Sequence, residues 1–422
     1  MNRVRAFAAC AIIGLSLAII LPGCDNSPQA SAATSPGSGS SPTNSVPNPT
    51  AGTTTPTDAS ANSPATETSA DEYVVGHYAS MTGSEATFGK STDDGIKLAI
   101  EEINAAGGVK GKKFRLITYD DQGKGQEAAT AVTRLITRDK VVAVLGEVAS
   151  SRSIAGGQVA QQNGVPMITP SSTNASVTEI GDMISRVCFI DPFQGFVCAK
   201  FVRDNLKLST AATLYDRTQA YSAGLNDDFK KAFTELGGKI VTEQAYAGGD
   251  ADFSAQLTNI RDKNPDVIFI PGYYTEAGNI AMQVRKLGLK SVLIGGDGWD
   301  SAKLAEIGGQ AIEGAYYSNH YSDEEQRPAV QDFVKKYKEK YGAVPDGLAA
   351  LGYDAMRLLA DAMTRAKSTS GKDLAEAINS TKDFAGVTGV ITIDAERNAR
   401  KPAVILKMQG GRPRYAATIQ PK

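Results

Sequence analysis

The sequence is poor in the residues that reactive and metal sites use most. Its 422 residues include two histidines, four cysteines and one tryptophan. The two histidines, His77 and His320, leave little material for a histidine-rich metal centre or for imidazole acid–base chemistry. The formal net charge is −2, so the chain lacks the basic surface that a general nucleic-acid binder needs. We predict no cofactor, no metal site and no nucleic-acid partner.

Nucleotide-binding and catalytic motifs are also missing. No G-x-G-x-x-G follows a strand-like run, and neither H-E-x-x-H nor G-x-S-x-G occurs. Residues 83–91, GSEATFGKS, look like a phosphate-binding loop, but five residues separate Gly83 from Gly89 where that motif needs four. We interpret this stretch as a glycine-containing loop over a cleft. We predict that the protein is not an enzyme.

The N-terminus has the pattern of an export signal. A short basic stretch, residues 1–5, precedes an apolar run over 6–21 that is too short for a comfortable transmembrane helix. The run ends in LPGC, residues 21–24, which resembles the lipobox of bacterial lipoproteins. The resemblance implies a removed signal peptide, 1–23, a diacylglycerol on Cys24 and a protein anchored to a bacterial membrane in the cell envelope. An ordinary secretory signal with an incidental cysteine is the alternative.

Residues 24–71 consist almost entirely of Ser, Thr, Pro, Ala, Asn and Gly. They show no apolar period and nothing from which a core could be built. We predict a disordered tether that holds a folded part near the membrane.

The folded part begins near residue 73 and alternates strand-like with helix-like runs. YVVGHYA (73–79), KFRLITY (113–119) and VVAVLG (141–146) are separated by amphipathic helical patterns. The alternation restarts with AATLYD (211–216). Because β-α-β repeats favour parallel strands with right-handed crossovers, we predict an α/β protein with two doubly wound parallel-sheet lobes.

Hydroxyl side chains follow two neighbouring strands of the first lobe. GEVASS ends with Ser150 and Ser151, and MITPSST contains Ser171 and Thr173. Ligands of open α/β sheets bind beyond the carboxyl ends of the strands. Helices starting near residues 151 and 174 would add free N–H groups, so the hydroxyls and amides together predict an anion site. The alternative is that Ser150 and Thr173 only cap helices.

The second lobe presents an acid and aromatic side chains at corresponding positions. LIGGDGWDS places Asp297 and Trp299 after a strand, PGYYTE places Tyr273 after another, and Tyr221 follows a third. An anion site opposite an acid suits a small zwitterion, because each buried charge then meets a group of opposite character. The aromatic residues could equally be core.

Together these stretches resemble a known family. DDGIKLAIEEINAAGGVKGKKFRLITYDDQG, VPMITPSST, DPFQG and GGDGWD are similar to type I periplasmic binding proteins of branched-chain amino-acid transport. The resemblance covers residues 73–420 and implies two lobes joined by three crossovers that close on a ligand. The implied lobes are 73–190 with 320–400, and 191–319 with 401–422.

The resemblance also implies roles for residues that meet the polar ends of a ligand. Ser150 matches the serine that meets the ligand carboxylate, and Ser171 matches a position used through its backbone. Thr173 matches a threonine that touches both carboxylate and ammonium. Asp297 matches the acid that meets the ammonium.

Four aromatic residues would form the remaining contacts. Tyr221 and Tyr273 match cleft tyrosines, whereas Phe88 replaces a usual tyrosine and makes its wall more apolar. Trp299 would crowd the side-chain pocket.

The cysteines of the mature chain depart from those relatives. Gly123 and Ala149 occupy the places of the disulfide that braces their first lobe. Cys188 and Cys198 form either a disulfide of a different kind or two small buried side chains, since a helix and a sheet pack about 10 Å apart, farther than a disulfide prefers.

We therefore expect a monomeric, lipid-anchored solute-binding protein of an ABC importer that delivers an aliphatic or branched-chain amino acid to a permease. A sensor for an amino acid, amide or small carboxylate is one alternative. A serine-dependent lipoprotein hydrolase is a weaker one, because it needs a base near Ser150 or Thr173.

Overall fold

The computed structural model describes residues 72–421, whose first sheet has five parallel strands in the order β2-β1-β3-β4-β5. The strands are β1 (Glu72–Ala79), β2 (Lys113–Asp120), β3 (Ala143–Leu145), β4 (Met167–Thr169) and β5 (Ile184–Arg186). The helices that follow them are α1 (Ala86–Ala105), α2 (Gly125–Thr137), α3 (Ser150–Gln162), α4 (Ser176–Glu179) and α5 (Asp191–Lys200), which continues into a π-helical turn, Phe201–Asn205. The three shortest strands are wholly buried, as expected for a parallel sheet covered on both faces.

The second sheet has seven strands in the order β15-β14-β10-β9-β8-β6-β7. Five are parallel: β6 (Thr210–Asp216), β7 (Lys239–Tyr246), β8 (Val267–Ile270), β9 (Val292–Gly295) and β10 (Tyr316–Asn319). The helices of this part are α6 (Ala220–Glu235), α7 (Ser254–Lys263), α8 (Tyr274–Lys286) and α9 (Ala302–Gly308), with 3-10 turns at Asp297–Trp299 and Gly309–Ile312.

The rest of the described chain adds three helices and five strands. They are α10 (Pro328–Tyr341), α11 (Gly347–Arg365), α12 (Gly371–Asn379), β11 (Phe384–Gly386), β12 (Gly389–Ile393), β13 (Ala399–Arg400), β14 (Ala403–Gln409) and β15 (Arg412–Ile419). β11, β12 and β13 form a small antiparallel sheet, whereas β14 and β15 extend the second sheet antiparallel to β10.

The chain passes three times between the parts that carry the two large sheets: after β5, after β10, and between β13 and β14. We call residues 72–190 and 320–400 the first lobe, and residues 191–319 and 401–421 the second lobe. This arrangement is the α/β architecture with three crossovers that the sequence predicts. Apolar side chains of α1, α10 and α11 cover one face of the first sheet, those of α2 and α3 cover the other, and the second lobe has its own core.

The cysteines are not joined in the described part of the chain. Cys188, just after β5, and Cys198, in α5, are buried free thiols. The Cys188 thiol lies 3.3 Å from the carbonyl oxygen of Ser172, and that of Cys198 lies 3.6 Å from the carbonyl oxygen of Gly295. The disulfide alternative is therefore wrong, and both residues act as small buried side chains.

Residues 1–71 and 422 lie outside the described chain, and with them the predicted signal peptide, the lipidation site Cys24 and the tether 24–71. Among residues 72–421, no helix combines the length and apolar character needed to cross a bilayer. The same residues contain no cluster of three or more His, Cys, Asp or Glu side chains arranged to hold a metal ion.

Candidate ligand-binding site

A small cavity lies where the two lobes meet. Its volume is about 10 Å³, which is room for about one water molecule. The first lobe supplies Phe88, Val148, Ser171 and Leu348 to its wall, and the second supplies Tyr221, Tyr273, Asp297 and Gly298. Of the predicted contacts, the structure brings five together on this wall: Phe88, Ser171, Tyr221, Tyr273 and Asp297.

Strand ends in both sheets position these residues. β4 ends at Thr169, just before Ser171, and β8 ends at Ile270, just before Tyr273. β9 ends at Gly295, and Asp297 begins the 3-10 turn that follows. The carboxyl ends of the parallel strands of the two sheets therefore meet at the cavity, which is where open α/β sheets bind ligands.

The first lobe presents two buried hydroxyl groups in the segment that follows β4. Within residues 72–421, Ser171 Oγ makes no hydrogen bond, whereas the Thr173 side chain lies against the carboxyl group of Asp191, whose pKa is raised by burial and lowered by this contact. Ser172, between them, contrasts with Ser171, because its hydroxyl donates to the carbonyl oxygen of Glu147 at 2.9 Å. Buried polar atoms are nearly always paired, so the unpaired Ser171 hydroxyl on the cavity wall indicates a group available to a ligand. Thr173 is two residues away and is not on this wall.

Ser150 lies close to these hydroxyls although it is not on the cavity wall. It is the first residue of α3, and its Oγ accepts a hydrogen bond from the backbone N–H of Asn174 at 3.2 Å. The helix expected to start near residue 174 is α4, which begins at Ser176, but it has only four residues, too few for an appreciable dipole. Only α3 supplies a helix N-terminus as expected.

The second lobe presents one carboxylate with a donor on each oxygen. Gln194 Nε2 donates to Asp297 Oδ1 at 2.8 Å, and His320 Nε2 lies 2.9 Å from Asp297 Oδ2. Burial lowers the pKa of His320 from its ordinary 6.5, so the imidazole is neutral at pH 7 and donates through Nε2–H. Because an ionised carboxylate has about four acceptor positions, Asp297 keeps capacity for a ligand cation.

Sequence reasoning missed both partners of Asp297. Gln194 belongs to DPFQG at the start of α5, and His320 directly follows β10. The only sequence signal for Gln194 and His320 was their position, because both residues lie where the chain passes between the lobes. His77, the other histidine, is buried in β1 and pairs with Asp93 at 3.1 Å.

Aromatic rings from both lobes enclose the cavity. Phe88 of α1 meets Tyr273 and Tyr274 edge to face, with centroids 5.6 and 5.0 Å apart. Tyr221 stacks on Tyr273 at 5.4 Å, and its hydroxyl accepts the backbone N–H of Gly298 at 3.1 Å. The Tyr273 hydroxyl is buried and unpaired among the described residues. The wall is therefore mainly apolar.

Trp299, predicted to crowd the side-chain pocket, does not line this wall. Its Nε1 donates to the carbonyl oxygen of Ile270 at 3.0 Å, and the side chain is fully buried in the second lobe. A Cβ on Gly295 would lie 2.1 Å from Trp299 Cε2, so this glycine makes room for the indole. The 3-10 turn directs Asp297 and Trp299 to different surroundings.

A buried charged cluster stands behind the first-lobe wall. Arg152 of α3 pairs with Glu147, with Nε 3.2 Å from Oε2, and also with Glu85. Asp121 lies in the same group, and burial together with the Glu147 charge raises its pKa to about 8. The cluster fixes the loop that carries Ser150, because Glu147 also accepts from the Ala149 backbone N–H.

Hydrogen bonds between the lobes surround the cavity. At one side, Asn174 Nδ2 donates to the Ala220 carbonyl at 2.8 Å, and the Ala220 N–H donates to Ser151 Oγ at 3.0 Å. At the other, Thr87 Oγ1 and Ser301 Oγ are 2.9 Å apart. The lobes are therefore in direct contact in this conformation, and a ligand can enter the cavity only when they move apart.

A family model described as periplasmic binding protein matches residues 72–412. The chain belongs to this family. It is 33% identical over 346 residues to Leu/Ile/Val-binding protein homolog 2 of Brucella abortus strain 2308, a match that covers 82% of this chain and 92% of that protein. The family resemblance inferred from the sequence is thereby confirmed.

Two solved structures show the same fold. A leucine binding protein, LivK, from Thermotoga maritima MSB8 has a TM-score of 0.80 at 42% identity, over 83% of this chain and 99% of that one. The branched-chain amino acid transporter substrate binding protein LivJ of Streptococcus pneumoniae, in complex with isoleucine, has a TM-score of 0.79 at 32% identity, over 83% of this chain and 100% of that one.

Family membership decides the class of activity. Members are solute-binding proteins of ABC transporters that act outside the cytoplasm, and they are not enzymes. The hydrolase alternative also lacks its base in the described chain, since His77 contacts Asp93 and His320 contacts Asp297 rather than Ser150 or Thr173.

Proposed function

We propose that the protein binds an amino acid with an aliphatic, branched side chain between its lobes and delivers it to the permease of an ABC importer. The observation that carries this proposal is the buried, unbonded Ser171 hydroxyl on one wall of a cavity whose other wall holds the Asp297 carboxylate. A ligand with a negative and a positive end satisfies both walls at once.

The carboxylate of the ligand would meet the first lobe. Thr173 Oγ1 and Ser150 Oγ would donate to it, together with the backbone of Ser171 at the same strand end. The start of α3 adds a partial positive charge, which favours an anion at this position. Asp297 would meet the ammonium group.

The side chain of the ligand would lie among Phe88, Tyr221 and Tyr273, with Val148 and Leu348 completing the wall. This lining offers apolar contact and little hydrogen bonding. Relatives whose names state leucine, isoleucine or valine binding support an aliphatic side chain. A molecule of this size reaches micromolar affinity, about −8 kcal/mol, without special interactions.

Binding would shift a population of open molecules toward the closed one, because the ligand contacts both lobes only when they are together. Anchoring through Cys24 and the tether 24–71 would keep the closed form near its permease. Replacing Cys24 with Ser is expected to release the protein from membranes, and continued membrane association would contradict the anchor.

Calorimetry on segment 72–422 tests the proposal. We expect micromolar binding of leucine, isoleucine or valine, and a loss of roughly tenfold to hundredfold when Asp297 is replaced by Ala, since a buried ammonium then lacks its partner. The control is Asp94→Ala, a carboxylate of α1 outside the cavity wall. Preferential binding of small carboxylates without an amino group would favour the alternative ligand class instead.

An uptake assay in cells distinguishes a transport function from a sensing function. Loss of labelled leucine uptake on removal of the protein supports delivery to a permease, whereas unchanged uptake with an altered response to the amino acid supports the sensor.

A further inference from the structure

We propose that His320, assisted by Gln194, is a positioning residue that holds the Asp297 carboxylate for the ligand's ammonium group and links it to the strands that join the lobes. The proposal rests on the proposed function, because it concerns how the same site selects an amino group.

His320 lies where the three crossovers meet. It directly follows β10, its ring stacks on Phe189 of the first crossover with centroids 3.8 Å apart, and Lys401 of the third crossover is near enough to influence its charge. On its other side the ring contacts Asp297. Among the described side chains that contact Asp297, His320 is the one that links the cavity wall to all three crossovers.

Gln194 makes a similar link through amide hydrogen bonds. Its Nε2 donates to Asp297 Oδ1 at 2.8 Å and to Ser318 Oγ at 2.9 Å. Ser318 lies in β10, two residues before His320, and Gln194 lies in the first turn of α5. The two donors fix both carboxylate oxygens from the crossovers, so rotation of Asp297 away from the cavity costs hydrogen bonds on both sides.

The neutral state of His320 is essential to this role. A neutral imidazole donates one hydrogen bond and leaves the negative charge of Asp297 for the ligand, whereas an imidazolium would compete with the ammonium for the same carboxylate. Burial lowers the pKa of His320, although Asp297 opposes this shift. Ligand binding should therefore weaken as the pH falls below 6.5, the ordinary pKa of histidine.

Two charged groups near His320 act on its pKa in opposite directions, in addition to the lowering by burial. Asp297 favours protonation and Lys401 opposes it. His320 also lines a groove of about 810 Å³ on the crossover side, together with Glu324, Glu325 and Arg327.

The test compares leucine with 4-methylpentanoate, which is leucine without its amino group, on the purified full chain. In His320→Leu, we expect leucine affinity to fall roughly tenfold to hundredfold and 4-methylpentanoate affinity to change less than about threefold, because only the ammonium needs Asp297. His320→Gln keeps a neutral donor near the Nε2 position and should retain leucine affinity at pH 7.5. It should also lose the decline that the wild type shows as the pH falls below 6.5.

The matched control is His77→Asn, which alters the other buried histidine–aspartate pair and should leave both affinities unchanged. If His320→Leu fails to fold, Gln194→Met provides the same comparison from the other oxygen. Equal loss for both compounds, or an unchanged preference for leucine, overturns the positioning role. A wild type that binds no amino acid overturns the proposed function itself, so the two failures are distinguishable.

Discussion

At the scale of single residues, the first lobe holds a buried carboxyl group, Asp121, whose ionised form is unfavourable in the folded protein. Asp121 Oδ1 accepts hydrogen bonds from Ser80 Oγ at 3.0 Å and from the Gly123 N–H at 2.9 Å. Burial and the nearby Glu147 charge nevertheless raise the pKa of Asp121 to about 8. The folded protein therefore binds a proton here that the unfolded chain releases near pH 4, so stability falls as the pH rises from about 4 to 8.

Asp121→Asn removes this titration while keeping an oxygen acceptor. We expect the melting temperature of the variant to exceed that of the wild type by an amount that grows between pH 5 and pH 8 and then levels off. For one titrating group, the free energy of unfolding changes by at most about 1.4 kcal/mol per pH unit. Thermal melts at several pH values measure it, and a difference independent of pH would contradict the raised pKa.

The neighbouring Asp120 is the matched control. Partial burial raises its pKa, but hydrogen bonds from Thr82 and from backbone N–H groups outweigh this and lower it. Asp120→Asn should therefore be less stable than the wild type by a constant amount over the same pH range.

At the scale of elements, α6 is capped from the opposite lobe. Its own N-cap residue, Gln219, makes no capping hydrogen bond through its side chain. Ser151 Oγ of α3 instead accepts the Ala220 N–H, and Asn174 binds the Ala220 carbonyl. Opening the lobes returns these groups to water, so the cap contributes to closure.

Gly224, one turn into α6, permits this contact. A Cβ at Gly224 would lie 2.5 Å from Asn174 Nδ2. We expect Gly224→Ala to weaken leucine affinity several-fold, mainly through faster dissociation, because the closed state loses its cap while the cavity wall is unchanged. Stopped-flow binding measures this. Gly125→Ala in α2 is the control, since its Cβ would meet only an ordinary contact at 3.8 Å, and an equal effect of both variants would count against the cap.

The sequence predicts the helices and strands better than it predicts which side chains contact each other. β1 and β2 are evident from strand-like runs of seven residues, and the strand-end positions of Ser171 and Asp297 follow from the alternation of strands and helices. Gln194 is 103 residues from Asp297, however, and His320 is 23, so only the crossover geometry brings them together. Trp299 lies off the cavity wall although Asp297, two residues before it, lies on it, because residues of a 3-10 turn point to different surroundings.

At the scale of the whole molecule, the architecture makes access to the cavity depend on movement between the lobes. Three crossovers join the lobes, and hydrogen bonds between the lobes around the cavity also hold them together. A cavity of about 10 Å³ cannot accept an amino acid without separation of the lobes. Covalent closure of the rim should therefore block binding without altering any residue of the wall.

Thr87 and Ser301 are suitable positions for a disulfide between the lobes, because their hydroxyl oxygens are 2.9 Å apart. In segment 72–422 carrying Thr87→Cys and Ser301→Cys, we expect oxidation to form a disulfide and to abolish rapid leucine binding, with reduction restoring it. Cys188 and Cys198 are buried thiols and should not interfere. Each single variant is a control. The Ser301→Cys single variant also measures the loss of the hydrogen bond that Ser301 Oγ accepts from the Lys303 N–H. Leucine binding at the wild-type rate by the oxidised double variant would show that the ligand enters without separation of the lobes.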